Sequence, residues 1–248
     1  MSDPDIQILD DFLTEISISN ELLLVRKSSR AKRLIFKSSL QKGVEIVIPK
    51  KVKISWVEEM IQEKASWIKQ SVEKVRDGRK QLTPNQVYFK ALDENWNVRY
   101  VCANKAVKRV VEDSGFSITV AIDSNDLFYP ARSLQSWFQQ KARDSLIPWL
   151  ERLSKDRRLA FNRAYIKNQV SRWGSCSPKR NINLNRNLLF VSSQLVDYVI
   201  HHELTHLQRM DHSKNFWDAF GKVLPDCQKL KRELNLYKMD DIPLWASP

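Results

Sequence analysis

The four histidines of this 248-residue chain all lie between positions 201 and 212. His202 and His206 stand four residues apart in the run His202-Glu203-Leu204-Thr205-His206. On a helix, this spacing separates two side chains by only about 40°, so both imidazoles can reach one metal ion. The cluster therefore predicts a helix at this point of the chain, with one face given to metal ligands.

The residues around this pair extend it into a possible catalytic site. Glu203 points to the side of the ligand face, where it is poorly aimed at a metal but can take a proton from metal-bound water. A catalytic zinc needs a third protein ligand and an open fourth position. His212 can supply that ligand if the chain turns back sharply at Met210 and Asp211. His201 points about 120° from the centre of the ligand face, and we expect it to be a hydrogen-bonded structural residue.

Two unrelated core or surface histidines would be the alternative, since the H-E-x-x-H string arises by chance in about one chain of this length in a hundred or more. The preceding sequence favours the metal site, because Ser192 and Ser193 suit a helix N-cap. Apolar residues then follow at helical spacing: Leu195, Val196, Val199 and Ile200.

Longer motifs carry a resemblance to a known family. They are Arg172-Trp173-Gly174-Ser175-Cys176-Ser177, the segments 181–185 and 198–207, His212-Ser213 and Phe216-Trp217. Together they resemble the YgjP-like metal-dependent hydrolases, relatives of the SprT-like and WLM peptidase-like proteins. The metzincin spacing is also present, but Arg209 stands where that family has glycine, so its turn is not expected.

The resemblance also covers the front of the chain. Segments 30–34 and 44–49 and the pair Trp67-Ile68 are similar to the N-terminal module of the family, so most of residues 23–238 is included. The resemblance implies that His202, His206 and His212 are zinc ligands and that Glu203 is the general base or acid. The spacing of these four residues leads to the same assignment.

The fold class predicted from the pattern is α+β. We expect a zincin-like domain with the H-E-x-x-H helix and a small antiparallel sheet, preceded by a β-hairpin and helix module. The predicted segments are 1–82 for this module, 83–131 for short antiparallel strands and 132–248 for the catalytic domain. In the first module we expect a hairpin (33–37 and 44–48) and a helix that opens with a capping box at Ser55 and ends at about Arg76. The middle segment should contain strands at 97–102, 108–111 and 116–122. The catalytic domain should contain a helix (133–156), two strands (164–167 and 181–185) and, after the H-E-x-x-H helix, two more helices (214–222 and 226–237).

Cysteine usage and the absence of targeting signals predict the compartment. Cys102, Cys176 and Cys227 are widely separated and form no C-x-x-C pair, which argues for a reducing environment and against a thiolate zinc site. Residues 1–11 carry four aspartates and no apolar region of a signal peptide. No run of about 18 apolar residues occurs. We expect a cytoplasmic protein that does not enter a membrane.

The net charge of +12 is concentrated towards the C-terminus. From Arg132 onwards there are 20 lysines and arginines against 11 aspartates and glutamates. Such a surface attracts polyanions such as nucleic acid or nucleotide phosphates, or it serves solubility alone. Arg172, Lys179 and Arg180 precede a candidate edge strand, and Arg172 either clamps a phosphate or carboxylate or fastens its own loop.

Three further residues are substrate-site candidates. Trp173 offers a stacking face or is a packing residue. Asn183 lies in the segment 181–185, which is either an edge strand that pairs with an extended substrate or an ordinary buried strand. Tyr198 lies one turn before His202 and either helps stabilise an oxyanion or is buried and hydrogen-bonded.

The expected function is zinc-dependent hydrolysis of a peptide, with water activated by the metal and its proton accepted by Glu203. Another divalent metal would also fit. The first alternative substrate is a nucleoside triphosphate such as a pyrimidine nucleotide, which the basic excess and the YgjP-like resemblance allow. The second alternative is a nucleic-acid-binding module with a structural zinc, which would need a closed four-ligand site. The sequence leaves the oligomeric state open.

Overall fold

The computed structural model describes residues 3–18, 20–102, 110–113, 115–123, 126–237 and 241–247. The fold is α+β, as predicted, and the chain divides into two compact units, Met1–Leu82 and Thr83–Pro248. The segments 83–131 and 132–248 lie together in the second unit. No helix in the described part of the chain has the length and apolar character needed to cross a bilayer.

The N-terminal unit is built on a three-stranded sheet with the order β1-β3-β2. Its elements are α1 (Pro4–Glu15), β1 (Leu23–Ser28), β2 (Ile35–Ser39), β3 (Gly43–Pro49), α2 (Ile54–Glu63) and α3 (Ala65–Gln81). β2 and β3 form the predicted hairpin, and β1 runs parallel to β3 on its other side. Residues 43–48 are all buried, because β3 is paired along both edges. The sequence patterns anticipated neither α1 nor β1.

Two helices replace the single helix predicted from Ser55 to Arg76. α2 ends at Glu63 and α3 begins at Ala65, with Lys64 at φ −94° and ψ 3° between them. No proline or glycine marks this break in the sequence. The apolar stripes of both helices join one core, and the break allows each stripe to face it. Core residues from these two helices are Val57, Ile61, Ile68, Val72 and Val75.

Both predicted ends of that helix are also wrong. The N-cap is Lys53, which makes no side-chain capping bond, so Ser55 does not open a capping box. At the other end, α3 continues through Gly78 to Gln81. Its last turn is held from outside, because the Arg79 side chain donates to the backbone carbonyls of Leu40 and Gln41 at 2.9 and 3.1 Å.

The second unit begins with a four-stranded sheet in the order β4-β5-β7-β6. The strands are β4 (Gln86–Phe89), β5 (Glu94–Cys102), β6 (Val110–Asp113) and β7 (Ser117–Ile122). The predicted antiparallel sheet is mixed, because β5 and β7 are parallel. β6 comes between β5 and β7 in the chain. It pairs antiparallel with the edge of β7 that faces away from β5, so β7 and β5 run in the same direction. Part of the expected strand 108–111 lies outside the described residues.

A long helix, α4 (Tyr129–Asp156), contacts this sheet through aromatic side chains. Phe89 stacks on Phe138 with ring centroids 5.5 Å apart, and Trp96 meets Trp137 edge-on at 5.3 Å. Trp149 on α4 donates to the carboxylate of Asp197 at 2.8 Å. α4 therefore connects the four-stranded sheet of the second unit to the helix that carries the histidines.

The remaining elements surround the histidine helix. They are β8 (Arg163–Lys167), β9 (Gly174–Cys176), β10 (Asn181–Asn185), α5 (Ser193–His206), α6 (Lys214–Val223) and α7 (Cys227–Leu236). Of the two alternatives for the segment 181–185, the structure excludes the edge strand, because β10 is the central strand of the order β8-β10-β9. β10 pairs in parallel with β8 and antiparallel with β9, so this sheet is mixed as well. The edge beside α5 belongs to β9.

Candidate metal centre

Three histidines of α5 and the following turn converge on one point. The Nε2 atom of His202 lies 3.2 Å from Nε2 of His206 and 3.0 Å from Nε2 of His212. Nitrogen ligands of a tetrahedral zinc, each about 2.05 Å from the ion, are separated by roughly 3.3 Å. Among the described residues, these three form the cluster able to hold a metal ion.

Burial keeps two of these imidazoles neutral. Desolvation, reinforced by the neighbouring His206 and His212, lowers the pKa of His202 to about 3. Desolvation also lowers the pKa of His206. Since a metal binds the neutral imidazole, both rings are in the form that coordinates at neutral pH.

One backbone contact fixes the tautomer of His206. Its Nδ1 lies 3.0 Å from the carbonyl oxygen of Arg209. A carbonyl only accepts, so Nδ1 carries the hydrogen and Nε2 is left with its lone pair towards the other histidines. The turn after α5 therefore orients a ligand as well as returning the chain to His212.

Phe216 on α6 contacts all three histidine rings. Its ring centroid lies 4.9 Å from that of His202, 4.7 Å from His206 and 4.9 Å from His212. The side chain is completely buried. The sequence associated Phe216 only with a family motif, because nothing in local spacing shows that it lies under the histidines.

Glu203 is a buried carboxyl next to this cluster. Only 5% of the residue is exposed, and burial raises its pKa to about 8, against an opposing effect of Arg172. Within the described structure, Oε2 has no hydrogen-bond partner. A buried carboxyl with one unpaired oxygen, beside three converging histidines, fits a centre that receives a divalent cation and handles protons.

Gly174 makes room for this carboxyl. A Cβ atom at position 174 would lie 2.7 Å from Oε1 and 2.9 Å from Cγ of Glu203, closer than van der Waals contact permits. Residue 174 therefore has to be glycine for Glu203 to adopt its position. The sequence offered a weak signal, since the chain has only five glycines and this one lies in the motif around Trp173.

Two cavities meet at Glu203 and His202. The larger, about 420 Å³, is lined by the three histidines, Glu203, Met210, Arg172 and Ser171, and residues 174–176. The smaller, about 210 Å³, is lined by Trp173, Gly174, Tyr198, Val199, His202, Glu203, Lys231, Leu234 and Asn235. Gly174, His202 and Glu203 line both cavities, so a molecule bound in either one would lie beside the catalytic candidates.

The edge strand β9 exposes backbone groups beside the larger cavity. Asn185 donates its N–H to the carbonyl of Trp173 at 2.8 Å, and Ser177 donates to the carbonyl of Asn181 at 2.9 Å. Because hydrogen-bonded pairs alternate along an antiparallel ladder, Ser175 faces β10 while Gly174 and Cys176 direct their N–H and C=O groups away from it. No backbone group among the described residues pairs with these groups, so the two residues offer a free strand edge next to the histidines.

The substrate-site candidates are divided between these features. Arg172 is exposed and lines the larger cavity, whereas Trp173 and Tyr198 line the smaller one. Burial raises the pKa of Tyr198 to about 12, so it stays a neutral phenol. The Asn183 side chain donates to the hydroxyl of Ser175 at 3.0 Å, which connects β10 to β9.

The role expected of His201 is different in the structure. The Nδ1 atom of His201 is buried without a hydrogen-bond partner among the described residues, so the hydrogen bond expected of this ring is missing at that atom. His201 instead accepts hydrogen bonds through its backbone carbonyl, from the guanidinium of Arg157 at 2.9 Å and from the hydroxyl of Thr205 at 2.7 Å. Arg180 donates to the carbonyls of Ala160 and Leu207 and therefore fastens its loop.

Comparison with known proteins agrees with the geometry. A family model described as a YgjP-like metallopeptidase domain matches residues 32–237. No curated protein matches the chain. The matched range contains both motifs that form the walls of the centre, Arg172–Ser177 and His202–His212.

Proposed function

The chain belongs to the YgjP-like family of metal-dependent, metallopeptidase-type hydrolases, and we propose that it is a zinc-dependent peptidase with Glu203 as its general base and acid. The observation that carries this proposal is the convergence of three histidines and a buried carboxyl on a cavity with a free strand edge. His202, His206 and His212 would hold the metal through their Nε2 atoms. When bound, the metal supplies a Lewis acid that polarises a carbonyl and acidifies water.

The residues of the chain supply the proton transfer. Glu203 faces the cavity beside the histidines, and its Oε2 is unpaired among the described residues. This oxygen can take a proton from the attacking water and return it to the leaving amine, as a general base and then a general acid. Gly174 contributes by leaving the carboxyl in place.

Peptide is the proposed substrate because of the edge strand. An extended peptide can add to the free N–H and C=O groups of Gly174 and Cys176, which brings its backbone alongside the histidines. The cavity of about 210 Å³ would accept one side chain of that peptide. Trp173, Tyr198 and Lys231 are among the residues that line it, a setting suited to an apolar side chain with a polar or acidic end.

Nucleoside triphosphate hydrolysis is the second candidate, and one residue favours it. Arg172 lines the cavity of the three histidines, where its guanidinium could pair with a phosphate. A structural zinc in a nucleic-acid-binding module ranks third. Its closed site would need four ligands, whereas the described cluster has three and opens onto a cavity.

Metal content tests the ligand assignment. Wild type purified with zinc and without an affinity tag should hold about one zinc per chain by elemental analysis. His212→Ala should lower zinc affinity at least tenfold, because it removes one of three ligands. His201→Ala is the matched control, since it deletes the histidine outside the cluster and should retain zinc. Equal zinc content in the two variants would remove His212 from the site.

A substrate panel tests the reaction. The zinc-loaded protein should cleave peptides, with fluorogenic peptide libraries as the readout, and release neither phosphate nor pyrophosphate from nucleotides. The opposite pattern would replace the peptidase proposal with the nucleotide one. Zinc retention with no turnover of either panel would favour the structural-zinc reading.

A further inference from the structure

A group of basic residues lies in the N-terminal unit, whose sequence contains no histidine. The loops 29–34 and 50–53 leave the same end of its sheet. Ser28, the last residue of β1, pairs with Pro49, the last residue of β3, and Ile35 at the start of β2 pairs with Val47. Adjacent strands are about 4.8 Å apart, so the two loops are neighbours.

These loops carry a dense positive charge. Their basic residues are Arg30, Lys32, Arg33, Lys50, Lys51 and Lys53, and all six are exposed. We call this surface the cationic end. None of the six forms an ion pair with an acid in the described part of the unit.

The acids closest along the chain leave this charge largely uncompensated. Asp3 and Asp5 both pair with the ammonium of Lys27, which lies near the end of β1. Glu58 and Glu59 come more than one turn into α2. The first turn of α2 contains no acid, and its N-cap residue, Lys53, makes no side-chain capping bond. The backbone N–H groups at the start of α2 therefore add to the positive potential of the cationic end.

Exposed aromatic rings accompany the cationic end. Trp56, three residues after Lys53, is 41% exposed on the first turn of α2. Trp67 is 40% exposed, and its ring meets that of Phe36, the second residue of β2, at 6.3 Å. Large aromatic side chains are usually buried, so two exposed rings beside six unpaired cations indicate a binding surface.

From this arrangement we propose that the cationic end binds single-stranded nucleic acid. The lysines and arginines of the two loops contact consecutive phosphates, and Trp56 stacks on a base. A duplex keeps its bases inside and would leave Trp56 without a partner. A helix that lies on an anionic membrane turns its apolar face to the lipid, whereas the apolar faces of α2 and α3 are buried in the core of the unit.

Salt dependence of binding tests the phosphate contacts. The full-length chain is titrated with a fluorescein-labelled 15-nucleotide single strand at 50 to 300 mM salt. Each phosphate contact contributes about 0.7 to the slope of log affinity against log salt concentration. The variant Lys50→Gln/Lys51→Gln/Lys53→Gln should lower that slope by about 2 and weaken binding more than tenfold at 150 mM salt.

A matched variant separates the cationic end from overall charge. Lys69→Gln/Lys74→Gln/Lys80→Gln removes the same charge from exposed positions of α3 and should leave the slope within about 0.5 of wild type. Equal losses in the two triple variants would overturn the proposal, because binding would then follow net charge alone. Retained affinity in the Lys50 triple variant would overturn it as well.

Stacking is tested at Trp56. Trp56→Ala should weaken single-strand binding about tenfold, while Trp56→Phe keeps most of the affinity and duplex binding is unchanged by either substitution. RNA and DNA strands of one sequence distinguish the two nucleic acids. Tighter binding to vesicles with 30% phosphatidylserine than to the single strand, or a Trp56→Ala variant with wild-type affinity, would overturn the assignment.

Discussion

Two buried glutamates, one in each unit, have opposite electrostatic environments. Glu45 on β3 is 2% exposed, and Glu203 on α5 is 5% exposed. The ammonium of Lys37 lies 2.9 Å from one oxygen of Glu45, and the guanidinium of Arg26 lies 3.1 Å from the other. These two cations hold the pKa of Glu45 below its usual value, and Lys37 has the larger effect. Burial without such a partner raises the pKa of Glu203 to about 8.

The difference is the one expected between a structural carboxylate and the general base proposed above. Lys37 lies directly opposite Glu45 in the β2–β3 ladder, so the pair stabilises strand pairing. Among the described residues, Glu203 has no ion pair of this kind, and its burial without one is the environment expected of a carboxyl that acts in the proposed site. The exposed fraction of a buried glutamate therefore does not indicate its role unless the charged groups next to it are considered as well.

Exchanging each carboxylate for an amide should produce the largest contrast. Glu203→Gln should lower kcat/KM by about 10²- to 10⁴-fold, because it removes the group that transfers the proton, while zinc content stays at the wild-type level. Glu45→Gln should leave kcat/KM within about twofold. Turnover on the best substrate of the peptide panel and elemental zinc are the two measurements. Comparable activity in both variants would end the assignment of Glu203 as base.

The pH dependence of stability should differ between the two sites when the metal is removed. The folded pKa of Glu203 is above its unfolded value of about 4.5, so its contribution to stability is full below pH 4.5 and is lost as pH rises towards 8. Urea unfolding of metal-free wild type and Glu203→Gln isolates this effect, since both proteins contain the same histidines. The variant should gain stability relative to wild type between pH 5 and 8. A constant difference across this range would mean that Glu203 is ionised in the folded protein.

A methyl group at position 174 should disturb the proposed catalytic site directly, because it would meet the side chain of Glu203. Gly174→Ala should lower kcat/KM at least tenfold and destabilise the protein by about 1–3 kcal/mol, because Oε1 and Cγ of Glu203 must move. Gly221→Ala is the control, since a Cβ on that residue of α6 meets nothing within 4 Å. It should stabilise the helix by about 0.5–1 kcal/mol. Wild-type turnover in Gly174→Ala would show that the carboxyl can work from another position.

Local sequence spacing was sufficient to predict the elements that depend on it. The α+β class, the β2–β3 hairpin and the YgjP-like family were predicted correctly. The interval between His202 and His206 specified a shared helix face, and the structure brings His212 to the same point. In the hairpin and in the histidine pair, the residues involved are separated by a turn or a helical repeat.

Contacts between distant segments could not be predicted in this way. Nothing local indicates that Gly174 lies against Glu203, or that β1 and β3 pair in parallel although β2 lies between them in the chain. The break at Lys64 follows from packing on the sheet, because no helix-breaking residue is present. The cationic end has the same origin, since its two loops become neighbours only through the pairing of Ser28 with Pro49.

The smallest expected effect concerns the structural carboxylate itself. Glu45→Gln should destabilise the protein by about 1 kcal/mol at pH 7, because Lys37 and Arg26 lose a charged acceptor but are exposed enough to be rehydrated. Since the folded pKa of Glu45 is lowered, its contribution is present above pH 4.5 and is lost as pH falls through the folded value. Wild type and variant should therefore converge in urea midpoint below pH 4. A difference that persists there would assign the effect of Glu45 to packing, and the contrast with Glu203 would then rest on proton transfer alone.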